Sequence, residues 1–215
     1  MPLPALRPQP LVRIPEAFND AAWLWELKFD GFRSLAYLEA GTCRLVSRHG
    51  HTYRSFDPLA TGVAGAIKVR DAILDGEIVC LDPEGRSLFN RLLFRRQTPV
   101  YAAFDVLWVN GQDLRDRPVV ERKKRLRAVL PVESPHLLHV DWLPEKGQEL
   151  FTLACEQDLE GVVGKWAQGK YQDDGRSTSW VKVKNPNYSQ AEGRAELFEG
   201  RGRAQRARPP VLSLR

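Results

Sequence analysis

The sequence is poor in cysteine and lacks long apolar runs. Only Cys43, Cys80 and Cys155 occur among its 215 residues, far apart and each beside apolar neighbours. No Cys-x-x-Cys pair or Cys/His cluster accompanies them, which argues against a structural zinc site and leaves them as free thiols in a reducing compartment. No stretch is apolar for long enough to span a bilayer, and Pro2, Pro4, Pro8, Pro10 and Pro15 interrupt the start where a signal-peptide core would lie. The chain is therefore expected in the cytoplasm, with no membrane partner. It also lacks internal repeats. Acids are missing from Gly200 to Pro210, where four arginines fall within eight positions, so residues 199–215 read as a basic, flexible tail, solvated or attracted to nucleic acid.

What is present is a globular composition, 43% hydrophobic, with a net charge of +5 that favours a polyanionic partner without demanding one. The length suits one large domain or one domain with a small appendage. The prolines make residues 1–19 an extended lead-in in which no chemistry is visible.

Alternating runs at Ser34 to Glu39 and Thr42 to Arg48, joined across Ala40-Gly41, read as a β-hairpin. Helices are expected over Pro58 to Val69, Ser87 to Arg96, Pro118 to Leu130 and Pro144 to Asp158. The third carries a run of basic residues that reads as a solvated face. Val100 to Val109 is a long strand ending at the Asn110-Gly111 turn signal.

The chain is organised around Trp23 to Arg33. Read as a strand, it places Trp23, Trp25, Leu27 and Phe29 on one face and Leu24, Glu26, Lys28 and Asp30 on the other, before Gly31 turns the backbone. A lysine there can be a nucleophile, but an ordinary lysine titrates near 10.4. Burial, nearby cations or a metal must favour the neutral amine.

Other positions carry chemistry too. Glu77 lies within the apolar strand Ala72 to Leu81, where an unpaired carboxylate is costly, so it faces a site, a metal or a salt-bridge partner. Phe104 is either core or a platform for a flat base. Arg48, at a strand end beside glycine, is either solvated or a phosphate contact. Glu160 and Lys165 bound an apolar centre but stand five residues apart, which puts them on opposite faces of an unbroken strand unless Gly161 and Gly164 relax it. Trp180, Lys182 and Lys184 share a face, and two lysines side by side suit an anion between them.

Together, Lys28-Phe29-Asp30-Gly31-Phe32-Arg33, Ser47-Arg48-His49-Gly50, Asp75-Gly76-Glu77, Phe104-Asp105, Glu160 to Lys165 and Trp180-Val181-Lys182-Val183-Lys184 resemble the ordered motifs of the covalent nucleotidyltransferases. The likeness is greatest to ATP-dependent DNA ligases of bacterial non-homologous end joining and their stand-alone relatives. It runs from about residue 20 to 198. The resemblance implies an α+β, ATP-grasp-like adenylation domain, with antiparallel sheets around a nucleotide cleft and helices outside. It further implies ATP and Mg²⁺ as cofactors, nicked double-stranded DNA as partner, and a role in DNA repair. By the same resemblance Lys28 becomes a lysyl-AMP, Glu26 reads the adenine edge, Arg33 holds the ribose and Phe104 stacks on the purine. Glu77 and Glu160 hold Mg²⁺, Lys165, Lys182 and Lys184 contact phosphate oxygens and depress the pKa of a neighbouring amine, and Arg48 meets the nick phosphate. The family's oligonucleotide-binding (OB) barrel and its final basic motif have no counterpart after Lys184, so a separate protein is one possible source of those donors. The alternatives are an RNA ligase or capping-type enzyme and a non-catalytic nucleotide- or DNA-binding accessory module.

Overall fold

The computed structural model describes residues 2–191. The expected basic tail at 199–215 lies outside them. In chain order the elements are β1 (Val12–Arg13), β2 (Asn19–Leu27), β3 (Phe32–Glu39), β4 (Thr42–Ser47), α1 (Asp57–Ala66), β5 (Asp71–Val79), α2 (Phe89–Leu93), β6 (Val100–Val109), β7 (Gln112–Asp113), α3 (Val119–Val129), β8 (Leu137–His139), β9 (Leu143–Lys146), α4 (Gly147–Glu156), β10 (Gly161–Trp166) and β11 (Trp180–Lys184). Among the described residues no helix is long and apolar enough to cross a membrane.

Two sheets result. One has the order β1-β11-β10-β2-β9, the other β4-β3-β5-β6-β7 with β8 beside β6, and all pairings are antiparallel except β1–β11 and β6–β8. The expected α+β architecture of antiparallel sheets with outer helices is therefore observed. The alternating sequence explains the layering. In β3 and β5, Leu38 and Leu74 point towards Leu59 and Val63 of α1 and Leu126 of α3. Leu35, Tyr37 and Ile73 point the other way, towards Trp180 of the opposite sheet. The outer face of that sheet buries Trp25, Val162 and Val183 against Leu150 and Ala154 of α4. Each fully buried large apolar side chain contributes on the order of 2 kcal/mol. The cleft opens between the two sheets.

The hairpin joining β3 and β4 turns through Ala40 and Gly41, both at positive φ, and pairs Glu39 with Thr42 as expected. Two expectations need correction. The first is the helix at Pro144 to Asp158. Leu143–Lys146 is instead the edge strand β9, pairing with β2, and the helix begins only at Gly147. Pro144 lacks the N–H a helix interior needs, and an edge strand tolerates it. Gly147 is where backbone passes against Trp25, since a Cβ there would lie 2.3 Å from the indole.

The second is Phe29, which does not continue the Trp25 face. Strand β2 ends at Leu27, and Phe29 packs with Val79, Ala102 and Val140 beneath the other sheet.

Candidate active site

Strand register builds the floor of the cleft as a grid. Glu26 of β2 lies opposite Val163 of β10, Val163 opposite Lys182 of β11, and Lys182 beside Arg13 of β1. Laterally paired residues project to the same side of a sheet, and a step of two along a strand keeps that side. The neighbouring row therefore holds Lys28 and Lys184. Lys28 follows the last residue of β2, its N–H donating to Gly161 O at 2.9 Å.

At one end of the cleft, Glu26 is buried between two ammonium groups. Lys165 Nζ lies 2.8 Å from Oε2, and Lys123 Nζ, reaching in from α3, lies 2.6 Å from Oε1. The Lys123 contact is off the line that a hydrogen bond needs, so Oε1 is a buried acceptor without a hydrogen bond, as the Trp180 indole is a buried donor without one. Lys165 also donates to Phe104 O at 3.2 Å and sits 4.1 Å from the Trp180 ring and 4.5 Å from the Phe104 ring. Burial pushes its pKa down to about 8, although Glu26 pulls the other way.

Phe104 is half-buried and lines the cleft, with the Arg33 guanidinium 4.7 Å from its ring centroid. Arg33 is held by a bidentate pair with the buried Asp75, at 2.7 and 2.6 Å, and Tyr171 donates to the same carboxylate at 2.6 Å. Burial opposes the charge on Arg33, but Asp75 outweighs it and holds the guanidinium above its ordinary value.

At the other end, Glu160 lies between Lys28, at 2.5 Å, and Lys184, at 3.1 Å. Glu160 precedes β10 and so escapes the alternation that would have turned it away from Lys165. Gly161, at φ +137° and with Val183 O only 2.0 Å from where a Cβ would be, is what lets the chain enter the sheet there.

Lys182 makes no ion pair with any described residue; burial lowers its pKa, and Lys28 and Lys184 add to the effect by repulsion. Glu77, from β5, faces Lys28, Arg33, Glu160 and Asp30 without a direct ion pair. Burial pushes its carboxyl up to about 7 against the pull of Lys28 and Arg33. Glu77 and Glu160 are two hard oxygen donors with cationic neighbours. No cluster of three or more His, Cys, Asp or Glu suited to a metal occurs among the described residues. Two carboxylates fit Mg²⁺, which keeps several waters and completes its shell with phosphate oxygens.

Nine of the ten residues singled out in the sequence therefore lie in or beside one cleft, with Lys165 at the Glu26 end and not among the lysines around Glu160. Arg48 stands apart, exposed and with its Nε donating to His49 at 3.0 Å. Burial raises the pKa of Tyr53, on which Glu77 acts in the same direction and Arg48 in the opposite one. Sequence reasoning gave no role to Asp75, Lys123 or Leu11. The first two are ionic partners in buried pairs, and Leu11, from the lead-in, lines the cleft. An acid inside the apolar run Ala72 to Leu81 was a signal for Asp75. The other two had none.

The family model described as "ATP dependent DNA ligase domain" matches residues 8–184. The multifunctional non-homologous end joining protein LigD of Pseudomonas aeruginosa is 34% identical over 85% of this chain, which spans only 22% of that protein's length. The SPbeta prophage-derived DNA ligase-like protein LigB of Bacillus subtilis is 31% identical, covering 85% of this chain and 68% of its own. Among solved structures, mycobacterial DNA ligase D complexed with ATP and MES aligns with a TM-score of 0.70 and 29% identity, over 83% of this chain and 60% of that one.

Proposed function

The chain belongs to the family of ATP-dependent DNA ligase domains, and we propose that it is a covalent adenylyltransferase whose nucleophile is Lys28. The observation that carries this reading is the grid itself. It sets Lys28, Lys182 and Lys184 around one carboxylate, Glu160, two residues along the strands from a buried acceptor, Glu26, beside an aromatic ring, Phe104. One end suits a purine, the other its phosphates.

In this reading Glu26 Oε1 accepts from the exocyclic amine of adenine, Phe104 lies against the base and Arg33, fixed by Asp75, meets the ribose. The Lys28 amine gives up its proton, for which Glu160 Oε2 at 2.5 Å is the nearest acceptor. A bond forms from Lys28 Nζ to the α-phosphorus, the bridging bond to the β-phosphate breaks, and pyrophosphate departs. Lys182 and Lys184 stabilise the charge that builds on the phosphate oxygens. Lys165 was expected at a phosphate, but its ammonium is engaged with Glu26 and Phe104 O, so we assign it to holding Glu26. Glu77 and Glu160 are the residues to hold Mg²⁺, which would neutralise phosphate charge there.

The AMP then passes to the 5′-phosphate of nicked double-stranded DNA, with Arg48 on the nick phosphate, in DNA repair in the cytoplasm. Residues 20–198 are the adenylation unit in this proposal, with 1–19 a lead-in and 199–215 a basic tail.

The test is the intact mass of the protein before and after ATP and Mg²⁺, with Lys28→Ala alongside. A gain of one AMP in the wild type and none in the variant is expected. An undiminished adduct on Lys28→Ala refutes the assignment of the nucleophile. Nicked DNA, nicked RNA and GTP in parallel separate DNA joining from RNA ligation or capping.

A further inference from the structure

The lead-in contributes more than a strap. Its residues 11–14 run extended along the edge of the five-stranded sheet, with Ile14 N–H donating to Lys182 O at 3.1 Å. Leu11 lines the cleft, while Ile14 packs on the outer face with Trp25 and Val183. Alternation therefore sends Arg13 to the cleft side with Leu11.

The register agrees independently, since Arg13 pairs with Lys182, which itself pairs with Val163. Arg13 is close enough to Lys182 to be one of the cations that depress it. Neither Arg13 nor Lys182 makes an ion pair or side-chain hydrogen bond with any described residue. Four cations, Arg13, Lys28, Lys182 and Lys184, thus surround this end of the cleft, and among the described residues Glu160 is the one acid in ion-pair contact with any of them. Two unpaired cations side by side repel unless an anion lies between them.

Three strand spacings of about 4.8 Å separate Arg13 from Glu26, roughly 14 Å in all. That is a length an extended nucleoside triphosphate can span, with its last phosphates at the Arg13 end.

We propose that Arg13 is a phosphate-binding residue of the nucleotide site, gripping the β- and γ-phosphates of ATP and the pyrophosphate they become. A guanidinium fork suits two oxygens of one phosphate. This rests on the adenylyltransferase reading above. It makes a distinction that a merely structural role would not. Pyrophosphate has gone once the lysyl-AMP exists, so Arg13 should matter for every step that involves it and for none that follows.

The experiment uses the full 215-residue chain as wild type, Arg13→Ala, Arg13→Lys and Val12→Ala, the last a control on the opposite face of the same strand. Adduct formation is followed by intact mass against ATP concentration. Preformed adduct is then exposed either to pyrophosphate, which returns ATP, or to nicked DNA. For Arg13→Ala the half-saturating ATP and pyrophosphate concentrations should both rise about tenfold, the scale of one charge-assisted contact. AMP transfer to nicked DNA should keep its rate. Arg13→Lys should recover part of the loss, and Val12→Ala should match the wild type.

Unchanged ATP and pyrophosphate dependence in Arg13→Ala overturns the proposal, as does equal loss in all three assays. If the wild type forms no adduct, the adenylyltransferase reading fails first. Calorimetric titration with inorganic pyrophosphate then decides for Arg13 alone, equal affinity of wild type and Arg13→Ala refuting it and a tenfold loss supporting it.

Discussion

Glu26→Gln should be among the most destabilising isosteric changes the chain can suffer. Glu26 is 2% exposed and is the one carboxylate among the described residues in ion-pair contact with both Lys123 and Lys165, themselves 0% and 1% exposed. The amide keeps the shape of the side chain but removes the charge that makes two buried ammonium groups tolerable, and it turns an NH₂ towards one of them. Removing one partner from a buried ion pair costs about 3–5 kcal/mol. At about 2–4 °C per kcal/mol for a chain of this size, the melting temperature at pH 7 should fall by roughly 10 °C.

Two features tie the loss to charge and not to packing. Lys165→Met in the Glu26→Gln background should restore part of it, so that the double variant is more stable than the two single losses sum to, by about 1–3 kcal/mol. The loss should also shrink between pH 7 and 9. Lys165 titrates at about 8 in the fold against its ordinary 10.5, so the unfolded chain holds more protons across that window and stability rises with pH through it. Without Glu26 the shift is larger and the buried proton leaves sooner. Urea unfolding of the four proteins at pH 7 and 9 measures all of this. A Glu26→Gln protein within about 0.5 kcal/mol of wild type, or strictly additive losses, would refute the claim that this triad is held together by charge.

The remaining predictions concern Glu77 and two glycines. Glu77 has its carboxyl raised from 4.5 to about 7, so the stability tied to its proton is fully present below about 4.5 and lost as pH climbs to about 7. Melting curves between pH 4 and 8 in EDTA should show this slope in wild type and not in Glu77→Gln; an identical slope in both would reject it. Gly161→Ala places a Cβ against Val183 O at a φ of +137° and should cost about 3 kcal/mol, whereas Gly65→Ala in α1, where a Cβ meets nothing within 4 Å, should stabilise by about 0.5–1 kcal/mol. Urea midpoints of equal sign for the two would count against the local geometry described.

How far the sequence discloses the site follows from which forces are local. The period of two alone puts Glu26 with Lys28 and Lys182 with Lys184, and the Ala40-Gly41 and Asn110-Gly111 turns carry their own signals. The partners of buried charge have no such signal. Arg122 and Lys123 look like part of a solvated basic face of α3, yet both are 0% exposed, because Asp105 meets the first from the preceding long strand β6 and Glu26 meets the second from β2, far away in sequence. Asp105 is held below the usual carboxylate range by Arg122, which outweighs the effect of burial. An acid inside an apolar strand therefore announces that a base is coming but not which one, since sheet and helix packing decide that.

The same logic explains why the lead-in read as inert. Its contribution depends on a parallel pairing between Val12–Arg13 and a strand nearly 170 residues later, and parallel pairs leave no turn to read. Arg122 with Asp105 is a closed pair outside the cleft lining and serves as scaffold, whereas Asp75 and the two lysines hold Arg33 and Glu26 in place where they line the cleft. Glu77, Lys182 and Arg13 face the cleft without an ion-pair partner among the described residues. In the proposed reading the nucleotide's phosphates and the metal would match the charges that these three leave open.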